Sequence, residues 1–62
     1  MKVKDILQKA TQYDFIEIYD SSNSIHFSGM NKDIEKSSTF LEKKVKKIWC
    51  EDYYCSLCIQ YK

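Results

Sequence analysis

Residues 46–61 read KKIWCEDYYCSLCIQY, and this stretch decides the fold. It holds the only Trp, all three Cys and most of the Tyr in a chain of 62 residues. Apolar and polar side chains alternate on both sides of its centre, which is typical of two strands joined by a tight turn. We therefore predict a hairpin with strands over 45–51 and 54–61.

The register of this hairpin follows from its apolar positions. Asp52 and Tyr53 at the tip place Cys50 opposite Cys55. The same register places Ile48 opposite Leu57, so both apolar sets lie on one face. Cys50 and Cys55 are then expected in the core, since free Cys is often buried.

A helix and a second hairpin are predicted before this stretch. Val3, Ile6, Leu7 and Ala10 have the spacing of one apolar helical stripe, which predicts a helix over 3–11. The segment FIEIY then alternates with period two, and DSSNS is rich in turn-forming residues. These patterns predict strand 15–19, loop 20–24 and strand 25–28, with the second strand ended by Gly29.

The segment between the hairpins allows two interpretations. Asn31 can cap a short helical turn over 32–36. From Thr39 onward, a capping box and helical spacing are compatible with a helix that runs to Trp49. We favour a short helical turn near Phe40, because the strand alternation around Ile48 agrees with the hairpin register.

The predicted fold is a single α+β domain over 1–62 with element order α-β-β-α-β-β. Its four-stranded antiparallel sheet would carry the N-terminal helix on one face. The expected core combines the apolar residues of the helix and the strands: Ile6, Leu7, Ile16, Ile18, Ile25, Phe27, Ile48, Leu57 and Ile59.

The amino-acid composition favours some classes of function over others. The net charge is only +1 and every basic residue is Lys, which argues against general coating of nucleic acid. Neither a membrane span nor the apolar core of a signal peptide is present in the sequence, so we expect a cytoplasmic protein. No cofactor is predicted.

The sequence offers two possible chemical sites, and both are disfavoured. Cys50, Cys55, Cys58 and His26 form a zinc-type donor set, but Cys55 and Cys58 point to opposite faces of a strand. Cys58 and His26 could share a face with Glu17 or Glu51 as a nucleophile, a base and an orienting acid. So short a chain rarely builds a deep cleft, and we expect a protein that is not an enzyme.

The outward face of the sheet is the candidate binding site. Phe15, Tyr19, Trp49 and Tyr54 make it unusually aromatic for a face left to water, and such patches commonly mark interfaces. The alternative is that these rings cover gaps in a small core. A basic edge lies beside this face and is formed by Lys43, Lys44, Lys46 and Lys47.

Two kinds of partner fit this surface. The first is a protein, either a foreign partner or a second copy in a homodimer. The second is single-stranded nucleic acid stacked on the aromatic rings. Glu17 and Glu51 share the face and oppose phosphate binding, so we prefer the protein.

The segments KVKDIL, IEIYDSSNSIHFSG, DIEKSSTFLEKKVKKI and SLCIQY together resemble small proteins of unknown function from phages and mobile elements of Gram-positive bacteria. The resemblance rests on the hydrophobic pattern and one Gly. It implies an α+β fold in the cytoplasm of a bacterial host cell. It also implies an anti-CRISPR-like inhibitor that occupies a surface of a host defence protein, such as a CRISPR effector.

Overall fold

The structure, a computed structural model, describes residues 1–11, 13–51 and 56–62. One α-helix, α1, is followed by four strands, β1 to β4, and two short 3-10 helices separate β2 from β3. The bounds are α1 Val3–Lys9, β1 Phe15–Tyr19, β2 Ile25–Met30, 3-10 helices Asn31–Asp33 and Thr39–Glu42, β3 Val45–Glu51 and β4 Ser56–Tyr61.

The helix forms where its apolar stripe predicts it. Asp5 Oδ2 accepts a hydrogen bond of 3.0 Å from the Lys2 N–H and so caps the first turn. Val3 and Leu7 are buried, and Ala10, just beyond the helix, is also buried. α1 therefore packs its stripe on one face of the sheet.

The prediction of a purely antiparallel sheet is wrong. The strand order is β2-β1-β4-β3, and the two central strands β1 and β4 are parallel. All six residues of β4 are buried, whereas β3 is mostly exposed. A strand buried on both faces belongs at the centre of a sheet, and a strand rich in Lys belongs at its edge. The fold class is therefore α+β with a mixed sheet.

The second helix of the predicted order is also absent from residues 31–44, where the structure has only two 3-10 helices. The helical turn near Phe40 is confirmed, and Phe40 is buried against the core. The alternative helix running to Trp49 is wrong, because β3 begins at Val45.

Both hairpins differ in detail from their predicted pairing. In the second, Ile48 faces Ile59 and Cys50 faces Leu57, two residues from the predicted register. A shift of two leaves Ile48, Cys50 and Leu57 on their expected face. The predicted partner Cys55 and the predicted strand start at 54 lie outside the described residues.

In the first hairpin, β2 continues through Gly29, which pairs with Ile16. The Phe27 ring leans over this glycine, 3.4 Å from the place of a Cβ atom. The loop at 20–24 forms as predicted. Asp20 Oδ1 accepts hydrogen bonds from the N–H groups of Ser22 and Ser24, at 2.8 and 3.0 Å.

The core lies between α1 and the sheet. Its buried members are Val3, Leu7, Ala10, Ile16, Ile18, Phe40, Leu57, Ile59 and Tyr61. Two predicted members are wrong, since Ile25 is 50 % exposed and Ile48 is 43 % exposed. A register shift at Ile18/Tyr19 pairs Ile25 with Tyr19, on the face opposite α1. Ile48 lies on the edge strand β3.

Candidate functional site

The face of the sheet opposite α1, called the outer face here, draws side chains from all four strands. Cross-strand partners share a face, so the pairing assigns its members. They are Phe15, Glu17, Tyr19, Ile25, Ser28, Met30, Lys47, Trp49, Glu51, Ser56, Cys58 and Gln60.

The central strand is buried on this face too. Ser56, Cys58 and Gln60 are exposed by only 2 %, 0 % and 7 %. The rings of Tyr19 and Trp49 come from the two strands that flank β4, and their centroids lie 5.4 Å apart. This pair, called the aromatic bridge here, therefore spans β4, because Trp49 lies opposite Cys58 and Tyr19 opposite Gln60.

Both rings of the aromatic bridge remain partly exposed. The Lys47 ammonium lies 5.4 Å from the centre of the Trp49 ring, within the range of a cation–π contact. The aromatic bridge thus covers the strand beneath it and presents ring surface to a ligand.

Glu17 organises the polar contacts below the aromatic bridge. The Cys58 thiol donates a hydrogen bond of 3.5 Å to Glu17 Oε1, and the Tyr19 hydroxyl donates one of 3.4 Å to Oε2. Burial, followed by the neighbouring Glu17 carboxylate, raises the pKa of Cys58 to about 12. Burial and Glu17 also raise the pKa of Tyr19. Cys58 is therefore held as a neutral thiol, which is a poor nucleophile.

Gln60 holds one end of the outer face in place. Its Nε2 donates to the Asp20 carbonyl and to Asn23 Oδ1, each at 3.0 Å. These bonds tie β4 to the loop between β1 and β2 and satisfy a buried amide. Sequence reasoning missed this role, because alternating polar residues on β4 indicate a solvated face.

An acidic groove of about 590 Å³ lies at the other end of the outer face. Phe15 and Met30 supply apolar surface, and three carboxylates line it. The described lining is Asp14, Phe15, Glu17, Ser28, Met30, Glu51 and Ser56, and none of these residues is basic. The groove can accept a positively charged group attached to an apolar stem.

Three of the predicted aromatic binding residues lie together as expected. Phe15, Tyr19 and Trp49 are all on the outer face and partly buried. The fourth, Tyr54, lies outside the described residues. Binding of a partner at this surface stays a prediction.

The predicted basic edge is divided by the fold. Only Lys47 is brought to the aromatic bridge. Lys43 and Lys44 belong instead to a short contact with the N-terminus, where Lys44 forms an antiparallel bridge with Lys2. Lys46 lies at a register shift of β3 and is exposed.

The donors considered for zinc and for catalysis have separate neighbours. Cys50, predicted in the core, is exposed and contacts the Tyr13 hydroxyl at 3.3 Å. Cys58 lies buried on the opposite face. His26 Nε2 contacts Asp20 Oδ2 at 2.8 Å. Within the described ranges no three His, Cys, Asp or Glu residues are grouped to hold a metal, and Cys55 lies outside those ranges.

No protein-family model, curated protein or solved structure matches this chain. Among the described residues, α1 is too short to cross a membrane, and no other helix is long and apolar enough to do so.

Proposed function

We propose that this protein is a non-enzymatic binding module whose outer face docks on a protein partner that presents Lys or Arg side chains among apolar ones. The observation that carries the proposal is the aromatic bridge lying next to the acidic groove on one face. The two features offer apolar contact and negative charge within one surface.

The aromatic bridge supplies the apolar anchor. Tyr and Trp contribute large contact areas at low cost in side-chain entropy, and they are enriched among interface hot spots. Tyr19 and Trp49 are held in place by the strand they cover, so little further ordering is needed on binding.

The acidic groove sets the charge of the partner. Glu17 and Glu51 are both acidic, and Glu17 accepts bonds only from neutral donors in the described part of the chain, so its charge is not offset there. Lys47 lies at the far end, over Trp49. A basic side chain complements this groove, whereas a phosphate would meet carboxylates. For this reason nucleic acid is the less favoured ligand.

The resemblance to phage and mobile-element proteins supports a more specific form of the proposal. In that form the protein acts in the cytoplasm of a bacterial host cell. It occupies a basic surface of a host defence protein, and a CRISPR effector is a partner of that kind. Occupation of a surface needs neither a cofactor nor a catalytic group.

Two peptides of matched apolar content test the proposal, one alternating Leu with Lys and the other alternating Leu with Glu. Trp49 is the only Trp, so its fluorescence reports binding at the aromatic bridge itself. We expect a saturable change with the Lys peptide alone. Equal responses to both peptides, or a stronger salt-dependent response to oligothymidine, would contradict the proposal.

Charge-neutral variants sharpen this test. The double variant Glu17→Gln, Glu51→Gln keeps the side-chain shapes and should weaken binding of the Lys peptide by about threefold to tenfold. The double variant Asp33→Asn, Glu35→Gln is the matched control, since both residues are exposed and neither lines the groove. An equal loss in the control would indicate attraction to net charge rather than binding in the groove.

A further inference from the structure

The two edges of the sheet are protected to different degrees. The β3 edge carries the exposed Lys46 and Lys47, and the bridge between Lys2 and Lys44 lies just before its first residue. Charged residues and covering segments are the usual means of keeping an edge strand from pairing.

In the part of the chain that the structure describes, the β2 edge has neither of these protections. Its sequence IHFSGM contains no Lys, Arg, Asp, Glu or Pro. Two of its side chains are exposed large hydrophobic groups, Ile25 at 50 % and Met30 at 37 %. An uncharged strand of six residues with exposed apolar side chains is a template for pairing with another strand.

The hydrogen bonding of the first hairpin shows which backbone groups are available. The Asn31 N–H donates to the Asp14 carbonyl at 2.8 Å, so this pair is a hydrogen-bonded one. Hydrogen-bonded and non-hydrogen-bonded pairs alternate along an antiparallel ladder. Gly29 therefore directs its backbone groups toward β1, whereas Ser28 and the N–H of Met30 point to the free edge. The Met30 carbonyl already accepts the first hydrogen bond of the 3-10 helix Asn31–Asp33.

We infer that β2 pairs with β2 of a second copy of this chain, antiparallel and about a two-fold axis. A register centred on Gly29 pairs Ser28 of each copy with Met30 of the other, and the Met30 N–H of each copy donates to the Ser28 carbonyl of the other. Gly29 then faces its own symmetry mate, where the absence of a side chain favours close approach of the backbones. No like charges meet, since β2 has no acidic or basic residue of fixed charge.

The pairing joins two sheets into one of eight strands, with both outer faces on the same side. It also adds buried apolar surface to a chain of 62 residues, which is short of core on its own. This inference does not depend on the proposed function, because strand pairing requires no ligand.

Sedimentation velocity from micromolar to millimolar protein, without peptide, tests the inference. We expect the mass to rise from 7.4 kDa toward twice that value. Ser28→Pro removes an outward N–H and places a proline ring where the second strand would lie, so it should keep the protein at the mass of one chain. Ser28→Thr is the matched control, since it retains the N–H, and it should associate as the parent does.

Ser28→Lys provides a second test in case the Pro variant does not fold. This variant places one ammonium group from each copy beside the two paired strands. Repulsion between these groups should raise the concentration needed for association by at least about tenfold. The inference is overturned if the parent stays at 7.4 kDa at millimolar concentration. It is also overturned if the folded Ser28 variants associate as the parent does, or if Trp49→Ala abolishes association while Ser28→Pro does not.

Discussion

Tyr19 and Trp49 meet across β4 with their ring centroids 5.4 Å apart and their planes inclined by 36°. This geometry gives one pair of side chains two roles. The rings exclude water from a central strand that α1 cannot reach on this side, and their exposed surface forms the anchor of the proposed binding face. A stability effect and a binding effect must therefore be measured separately for any substitution here.

Because the two rings cover β4, they should protect the cysteine of that strand from alkylation. Cys58 is buried, and burial raises its pKa to about 12, so iodoacetamide should leave it unmodified at mildly alkaline pH. The exposed Cys50 should be modified before Cys58. Trp49→Ala should expose Cys58 and increase its rate of alkylation while the fold is retained, as measured by mass spectrometry with fragment assignment.

Lys47→Ala is the control for this experiment, since it removes the cation above the ring and leaves the ring in place. Rapid alkylation of Cys58 in the parent protein would show that the aromatic bridge does not cover β4. An alkylation rate that is unchanged in folded Trp49→Ala would show the same.

Ile48 and Ile59 are cross-strand partners of unequal burial, which predicts unequal costs on truncation. Ile59 is 0 % exposed, and Ile59→Ala should cost about 2–5 kcal/mol of unfolding free energy. Ile48 is 43 % exposed, and Ile48→Ala should cost less than about 1.5 kcal/mol. Urea unfolding followed by Trp49 fluorescence measures both. Equal costs would contradict the placement of β3 at the edge of the sheet.

The Glu42 carboxylate joins the 3-10 helix at Thr39–Glu42 to the N-terminal segment. This link predicts that the stability of the fold depends on pH in the acid range. Lys2 and Lys4 each donate a bond of 2.9 Å to its carboxylate. These bonds, that of Lys2 first, lower the pKa of Glu42 from 4.5 to about 2. Because the folded pKa lies below the unfolded one, the stabilisation is present above pH 4.5 and is lost as the pH falls toward 2.

Glu42→Gln should therefore melt slightly below the parent at neutral pH, and the difference in Tm should vanish on acidification. Thermal unfolding over a pH series measures this, with Glu35→Gln as the control. A difference in Tm that is constant with pH would show that the ion pairs do not contribute.

Local patterns in the sequence were sufficient for most elements and insufficient for their assembly. The stripe at Val3 and Leu7 and the alternation around Ile16 and Ile18 report short-range geometry, so the helix and the first strand were predicted correctly. Strand order is a long-range property. It depends on β4 being covered on both faces, and this was hidden because Ser56, Cys58 and Gln60 have the polar character of a solvated face.

The candidate site was predicted in part for the same reason. The alternation of side chains between the two faces of each strand is sufficient to place Phe15, Tyr19 and Trp49 on one face. It does not reveal that Tyr19 and Trp49 meet over β4, because their contact requires β1 and β3 to flank that strand. The displacement of Ile25 to the outer face depends on a bulge that no local signal marks.

Binding of a basic partner at the outer face is best tested by an amide chemical-shift titration of the isotope-labelled protein with the peptide that alternates Leu and Lys. We expect the indole N–H of Trp49 and the amides of β1 and β3 to move together and saturate, while those of α1 remain in place. Shifts confined to α1, or no shifts with this peptide, would contradict the assignment of the outer face as the binding surface.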